Sequence, residues 1–278
     1  MKYALGNMLN GAGGFGLDAD AKAYINAVVA AGATVTATQR NAINAFVKGG
    51  KTAGWWSSMK RIYLPIWSIA APNAIDIVSR ASGTFVGTPT HGTSTVSFAS
   101  GAYFDSGTSF SAQGLTSSSG YIFALVTAWT GTVVNIIGAG TLTNATTIGR
   151  DSVNNIRLRY SGSVEGSGQL LATGNAGTLG IISGSRQGGD RKLYRRSNTG
   201  KSQVATLTSG NFGSPQPSNV YFSGFNNTDV AGGVAPAVGA STMGLYGFGL
   251  GLTDAQDSSL TSALETLWET CTGSTIPT

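Results

Sequence analysis

The chain has 278 residues, 41% hydrophobic but only 10% charged, where an ordinary soluble domain carries about 25% charged residues. Acids are scarcest: 12 Asp and Glu against 17 Lys and Arg give a net charge of +5, which disfavours hard-metal binding, acid/base catalysis and tracking of a nucleic-acid backbone. A surface this poor in charge predicts packing into an assembly, and the single Cys271 leaves no internal disulfide, in keeping with synthesis in a reducing cytoplasm.

Residues 1–17 form a glycine-rich arm with Tyr3, Leu5, Met8, Leu9 and Phe15 as isolated apolar points. Such an arm has no core of its own and orders only against a neighbouring surface. It also lacks the continuous apolar stretch of a signal peptide. Residues 18–70 read as a helical module. Asp18 or Asp20 caps a first helix that carries Tyr24, Ile25, Val28 and Val29 and stops at Gly32. Thr36 and Gln39 form a capping box for a second helix with Ile43, Phe46 and Val47 on one face. Trp55, Trp56, Met59, Ile62 and Tyr63 predict a third short helical turn ending before Pro65. The apolar stretch at residues 62–71 is broken by that proline, so no segment reaches the roughly 18 apolar residues of a membrane span.

Residues 71–272 read as a β-sandwich with a closing helix. Period-two runs such as Thr84-Phe85-Val86, Thr95-Val96-Ser97-Phe98, Tyr121-Ile122-Phe123-Ala124-Leu125-Val126 and Val133-Val134-Asn135-Ile136-Ile137 predict strands. Further runs follow at residues 155–160, 179–182, 192–196, 202–206, 220–225 and 243–250, enough for two sheets. Thr253 and Gln256 form another capping box, before an amphipathic helix with Leu260, Leu264, Leu267 and Trp268. Residues 273–278 read as a flexible, frayed tail.

The best local candidate for binding is the basic stretch at residues 185–201, with Arg186, Arg191, Lys192, Tyr194, Arg195 and Arg196. Asn198 and Gly200 mark a turn within it. Its functional reading is a patch for an acidic glycan, a phosphate-bearing surface or an acidic partner; its bland reading is a solvated strand face and hairpin tip. His91, the only histidine, lies in a Thr-Pro-Thr-His-Gly-Thr segment and rules out two-histidine zinc sites. Asp105, Asp151, Asp190 and Asp229 stand singly, without metal-ligand spacing, so no metal or other cofactor is expected. No strand carries the two carboxylates of a glycosidase; Glu165 and Asp151 are the nearest approach. The glycines of residues 11–16 lack the preceding strand and following Gly-Lys-Ser/Thr of a phosphate loop. Trp129, Tyr160, Tyr194, Tyr221 and Phe225 offer stacking faces for sugars, although aromatic residues on strands mostly serve the core.

Three segments carry a resemblance to a family of known proteins. They are residues 35–47 (VTATQRNAINAFV) with residues 55–65 (WWSSMKRIYLP), the hairpin at residues 192–200 (KLYRRSNTG), and residues 246–256 (YGFGLGLTDAQ), where a last strand passes into a capped helix. Together they resemble bacteriophage virion structural proteins that pair a helical preface with a concanavalin A-like, laminin-G-like domain. The resemblance implies a mainly β fold, a two-sheet antiparallel jelly roll, and a homo-oligomer on a phage particle as tail, fibre or capsid-attached component. Other virion proteins would be its partners, through the arm and the helical module. The Glu-x-Asp-x-x-Glu strand of the glucanase members is absent, so their hydrolysis is not carried over. The alternatives are a receptor-recognition module that binds host polysaccharide and, further off, a glycan-degrading enzyme.

Overall fold

The computed structural model describes residues 16–130, 134–141, 145–150, 155–162, 169–172, 179–207, 214–227, 234–236 and 240–278. Helix α1 (Ala19–Ala30) is capped by Asp18, whose carboxylate accepts from the Asp20 amide, and Gly32 takes a positive φ just beyond its end. Helix α2 (Ala37–Thr52) begins with the Thr36 and Gln39 capping box. A short 3-10 turn, Trp56–Ser58, leads into β1 (Met59–Tyr63), and α3 is the single turn Ala70–Asn73.

The expected third helical turn is therefore mostly a strand. Met59, Ile62 and Tyr63 have helix-like spacing, but the segment pairs with the run Tyr246 to Gly249. A Cβ at Gly247 would sit 2.3 Å from the Arg61 carbonyl, and one at Gly249 would sit 2.5 Å from that of Ser58. The two glycines let β1 lie close in, and tertiary pairing overrides local pattern.

The remaining strands are β2 (Thr84–Val86), β3 (Thr90–His91), β4 (Val96–Phe98), β5 (Tyr103–Ser109), β6 (Ser119–Thr130), β7 (Val134–Gly140), β8 (Ala145–Arg150), β9 (Ile156–Gly162), β10 (Gln169–Ala172), β11 (Gly180–Gln187), β12 (Asp190–Ser197), β13 (Gly200–Leu207), β14 (Asn219–Phe222), β15 (Gly224–Asn227), β16 (Val234–Pro236) and β17 (Ala240–Gly249). Among the described residues, one sheet runs β13-β12-β11-β6-β17-β4-β3, with β1 beside β4 along the same edge of β17. The other runs β10-β9-β8-β7-β14-β5-β2 and carries the β15/β16 hairpin. Pairing is antiparallel apart from a short parallel contact between β15 and β7.

The two sheets stack as a jelly-roll sandwich. Ile122, Ala124, Val126, Tyr246 and Phe248 of the first sheet meet Phe104, Ile137, Ile148, Leu158 and Phe222 of the second. The opposite face of the first sheet is covered in turn. Tyr121, Phe123, Leu125 and Leu245 pack against Tyr24, Val28, Ile43, Val47 and Trp55, and against Leu260, Leu264 and Trp268 of α4 (Asp254–Thr272). The middle of β6 is thus buried on both faces, which is why it reads as an unbroken apolar run. Helices from both ends of the chain share this second core. The tail differs from the frayed segment expected: Ile276 is fully buried in the helical core, and its amide donates to the Glu269 carboxylate at 2.9 Å.

Candidate functional site

The basic stretch falls on β11 and β12, and strand alternation divides it between two faces. Arg186 and Arg191 oppose each other in register on the inter-sheet side, 4% and 0% exposed. Burial and the neighbouring Arg186 charge bring the Arg191 pKa down to about 10. Arg195 donates from Nε to the Leu179 carbonyl at 2.9 Å, and burial lowers its pKa as well.

Lys192, Tyr194 and Arg196 point the other way, to α4. Lys192 Nζ reaches Asp254 at 2.7 Å, and the Tyr194 hydroxyl donates to the same carboxylate at 2.7 Å. Those bonds, that from Lys192 first, hold the Asp254 carboxyl below its usual range, whereas burial and Asp254 push Tyr194 up. Arg196 pairs with Glu265 and donates to Ser262 Oγ at 3.3 Å. On the next strand Lys201 pairs with Asp257 and lies 3.9 Å over the Tyr194 ring. The structure does not bring the six expected residues together as one open patch. Both faces of β12 are covered, and Lys192, Tyr194 and Arg196 dock the closing helix.

An open cleft lies elsewhere, at the end of the first sheet. Its volume is about 220 Å³, and Ser97, Thr242, Thr90, Thr130, Ala128 and Trp129 are among its lining residues. No lining side chain is charged. Ser97 and Thr242 hydroxyls are bonded to each other at 3.0 Å, and Thr127 Oγ1 donates to the Thr242 carbonyl at 3.2 Å.

Two local features open this cleft. Register shifts on either side of Met243 interrupt the β6/β17 ladder, and such bulges bend a strand and turn its end away. The helical cover also stops there: Trp268 sits directly on Gly244, where a Cβ would lie 2.6 Å from its Nε1, and that Nε1 donates to the Ser94 carbonyl at 2.8 Å. Beyond Gly244 the strand ends lack that cover. Trp129 is half-buried at the edge of the inter-sheet core, with the Arg150 guanidinium carbon 5.0 Å from its ring centroid. Trp129 opposes Ser241 in the ladder and points with it to the inter-sheet side, whereas Ser97, Thr242, Ala128 and Thr130 stand on the opposite face, so the open wall of the cleft is one of hydroxyls and small groups, suited to the hydroxyls of a sugar.

The other expected residues have other surroundings. His91 lies on β3, its Nδ1 3.1 Å from Asn73 Nδ2 and its ring edge-on to Phe85; an amide, not a carboxylate, orients it. Asp105 accepts from the Gly107 amide at 2.8 Å and from Asn219 at 3.3 Å. Tyr221 stacks on Tyr103 at 4.4 Å, and Phe225 is buried. Asp151, Glu165 and Asp229 lie outside the described residues, as does the side chain of Tyr160. Among the described residues no cluster of three or more His, Cys, Asp or Glu could hold a metal ion, and no helix is long and apolar enough to cross a membrane. Sequence reasoning named Trp129 but not Ser97 or Thr242. The available signal was the Thr-Ala-Trp-Thr end of β6, where the apolar run gives way to hydroxyls around one large aromatic.

No protein-family model matches the chain, and no curated protein matches it. Solved structures do. The binding domain of botulinum neurotoxin serotype D/C VPI 5993 superimposes with a TM-score of 0.50 at 10% identity, covering 75% of this chain and 53% of that one. Domain 4 of a GH43 extracellular arabinanase from Geobacillus stearothermophilus, in complex with arabinotriose, gives 0.43 at 13% identity, covering 73% and 100%. The Ruminococcus gnavus IT-sialidase CBM40 bound to α2,3 sialyllactose gives 0.40 at 10% identity, covering 59% and 94%. The chain spans about half the length of the toxin domain, and at such identities the likeness is one of fold alone, a two-sheet antiparallel jelly roll.

Proposed function

We propose that the chain is a non-catalytic glycan-binding module that takes a neutral sugar in the Trp129 cleft. The observation that carries this reading is the uncharged cleft whose open face carries the hydroxyls of Thr90, Ser97, Thr130 and Thr242. The fold neighbours with arabinotriose and sialyllactose support it by analogy of architecture. A neutral ligand follows from the lining: an acidic sugar would need a cation in contact, and Arg150 is not among the residues that line the cleft. The test is a glycan array on the full chain, then titration of the strongest neutral oligosaccharide against wild type and Ala128→Trp, which fills the cleft from an exposed position on its open face. A loss of about tenfold or more, roughly 1.4 kcal/mol, is expected. Equal affinity in the two proteins, or an array that responds only to acidic glycans, would refute it.

A second reading places this module on a phage particle, as a structural, homo-oligomeric tail, fibre or capsid-attached component. It is favoured by the charge-poor composition and by the resemblance of residues 35–47 and 55–65 to phage helical prefaces. Other virion proteins would then contact the arm and the helical layer. Immunogold electron microscopy of intact particles with an antibody to the sandwich tests it: label on tail or capsid supports it, and absence of the protein from particles by mass spectrometry removes it.

A further inference from the structure

The seam between the first sheet and α4 holds a buried cluster that neither reading of function uses. Lys201 of β13 brings its Nζ into contact with Oδ2 of Asp257 on α4. The other carboxylate oxygen, Oδ1, accepts from the Tyr121 hydroxyl of β6 at 2.5 Å and from the Ser183 hydroxyl of β11 at 3.0 Å. We propose that Lys201 and Asp257 condense to an amide, an isopeptide bond that fastens the closing helix to the sheet.

The strands and the helix hold the two groups together. Lys201 stands opposite Arg196 in the β12/β13 register, and side chains of such a pair share one face; Arg196 reaches Glu265 of α4, so Lys201 is sent to α4 as well. Its Nζ lies 3.9 Å from the centroid of the Tyr194 ring and donates to Ser258 Oγ, one residue beyond Asp257, at 2.9 Å. The site is dry: the Asp257 side chain is 0% exposed and that of Lys201 13%. Oδ2 accepts no hydrogen bond of ordinary geometry, so Nζ approaches it closely without serving as a directed donor.

The chemistry needs no further reactant. One proton passes from the Nζ ammonium to Oδ2, and the freed amine lone pair attacks Cγ. The Nζ–Cγ bond forms, the Cγ–Oδ2 bond breaks, and Oδ2 departs as water with a second proton from Nζ; nothing is oxidised or reduced. A dry site disfavours the charged pair relative to the neutral amine and acid from which the attack starts. Negative charge develops on Oδ1 in the tetrahedral intermediate, where the Tyr121 and Ser183 hydroxyls already point, as donors of an oxyanion hole do. Attack within one folded chain replaces an encounter in solution, an advantage on the order of 10⁵ M or more in effective concentration. The link would also serve this chain in a particular way. Its single cysteine leaves no internal disulfide, and a covalent tie between β13 and α4 restricts the unfolded chain as a disulfide does.

The experiment is intact-mass spectrometry of the full chain under denaturing conditions, followed by a tryptic map. The expected mass is one water below that of the sequence, with Lys201 uncleaved and its peptide joined to the one that holds Asp257. Lys201→Arg keeps the cation but has no amine to condense, and is expected at full mass, with a thermal melt to confirm that it folds. Wild type at full mass after prolonged incubation of the folded protein overturns the proposal. A water loss that persists in Lys201→Arg also overturns it, by placing the dehydration elsewhere in the chain. In Tyr121→Phe the bond should close more slowly, on the order of a hundredfold for one lost oxyanion donor, read as the fraction joined at fixed times after cell-free synthesis. Equal rates in the two proteins would overturn the part given to the Tyr121 hydroxyl.

Discussion

The hydroxyl of Tyr121 on β6 donates to the Asp257 carboxylate of α4 at 2.5 Å, across the boundary between sheet and helix. Ser183 donates to the same oxygen at 3.0 Å, and Lys201 pairs with the other. Asp257 is fully buried, so the closing helix is keyed to three strands through one carboxylate.

Removing that carboxylate strands the groups around it. Asp257→Ala leaves a nearly buried ammonium and two buried hydroxyls without their acceptor, and is expected to cost about 3–5 kcal/mol. Tyr121→Phe deletes one charge-assisted bond and leaves two, for about 1.5–3 kcal/mol. Urea unfolding of both variants checks the order; a larger loss for Tyr121→Phe would mean that the aromatic packing, not the carboxylate, holds the helix.

Arg196 belongs to the same seam. Its pair with Glu265 is mostly buried, the two side chains being 19% and 16% exposed, so Arg196→Ala is expected to lower stability by about 1–3 kcal/mol, between the surface and the fully buried cases. Affinity for any glycan bound at the Trp129 cleft should stay within about twofold. Parallel unfolding and binding titrations separate the effects, and a binding loss without a stability loss would restore the basic stretch as a ligand surface.

The fold was readable where local and tertiary demands coincide. The Thr36/Gln39 and Thr253/Gln256 capping boxes lie where the sequence puts them, and the Asn198 and Gly200 turn joins β12 to β13. The run at residues 121–126 is recognisable because both its faces are buried. β1 was hidden because its strand state depends on Gly247 and Gly249, more than 180 residues away in the chain. The basic stretch was visible as charge, but the acids that answer it, Asp254, Asp257 and Glu265, belong to a helix whose packing partner the sequence does not name. The cleft depends on where helical cover ends, at Trp268 over Gly244, and no local periodicity encodes that.

Gly244 tests that last relationship. A methyl group there would meet Trp268 Nε1 at 2.6 Å and Leu125 Cδ2 at 2.7 Å, and both neighbours are buried and packed on all sides. Gly244→Ala is therefore expected to destabilise by about 1–3 kcal/mol through overpacking. It should also change the near-ultraviolet circular dichroism as Trp268 is displaced from its bond to Ser94. An unchanged spectrum and midpoint would show that the helix shifts freely over the sheet.

The lone histidine makes stability depend on pH, with a sign that the geometry fixes. Asn73 Oδ1 accepts from the Trp67 amide at 2.9 Å, which turns Asn73 Nδ2 to His91 Nδ1 at 3.1 Å. The amide must donate and the ring nitrogen accept, so the folded imidazole is neutral with its proton on Nε2. Burial lowers its pKa from 6.5, and protonating Nδ1 would set two donors against each other. The unfolded chain therefore binds the proton first. The contribution is fully present above the unfolded pKa, about 6.5, and is lost as pH falls from there through the folded value. Between pH 7 and pH 5 the wild type should lose more melting temperature than His91→Gln, whose side chain does not titrate. Asp76, whose carboxyl is raised by burial, is common to both proteins and cancels in the difference. Parallel melting curves across that range would mean that His91 carries its proton in the folded state without penalty, and that the Asn73 amide is turned the other way.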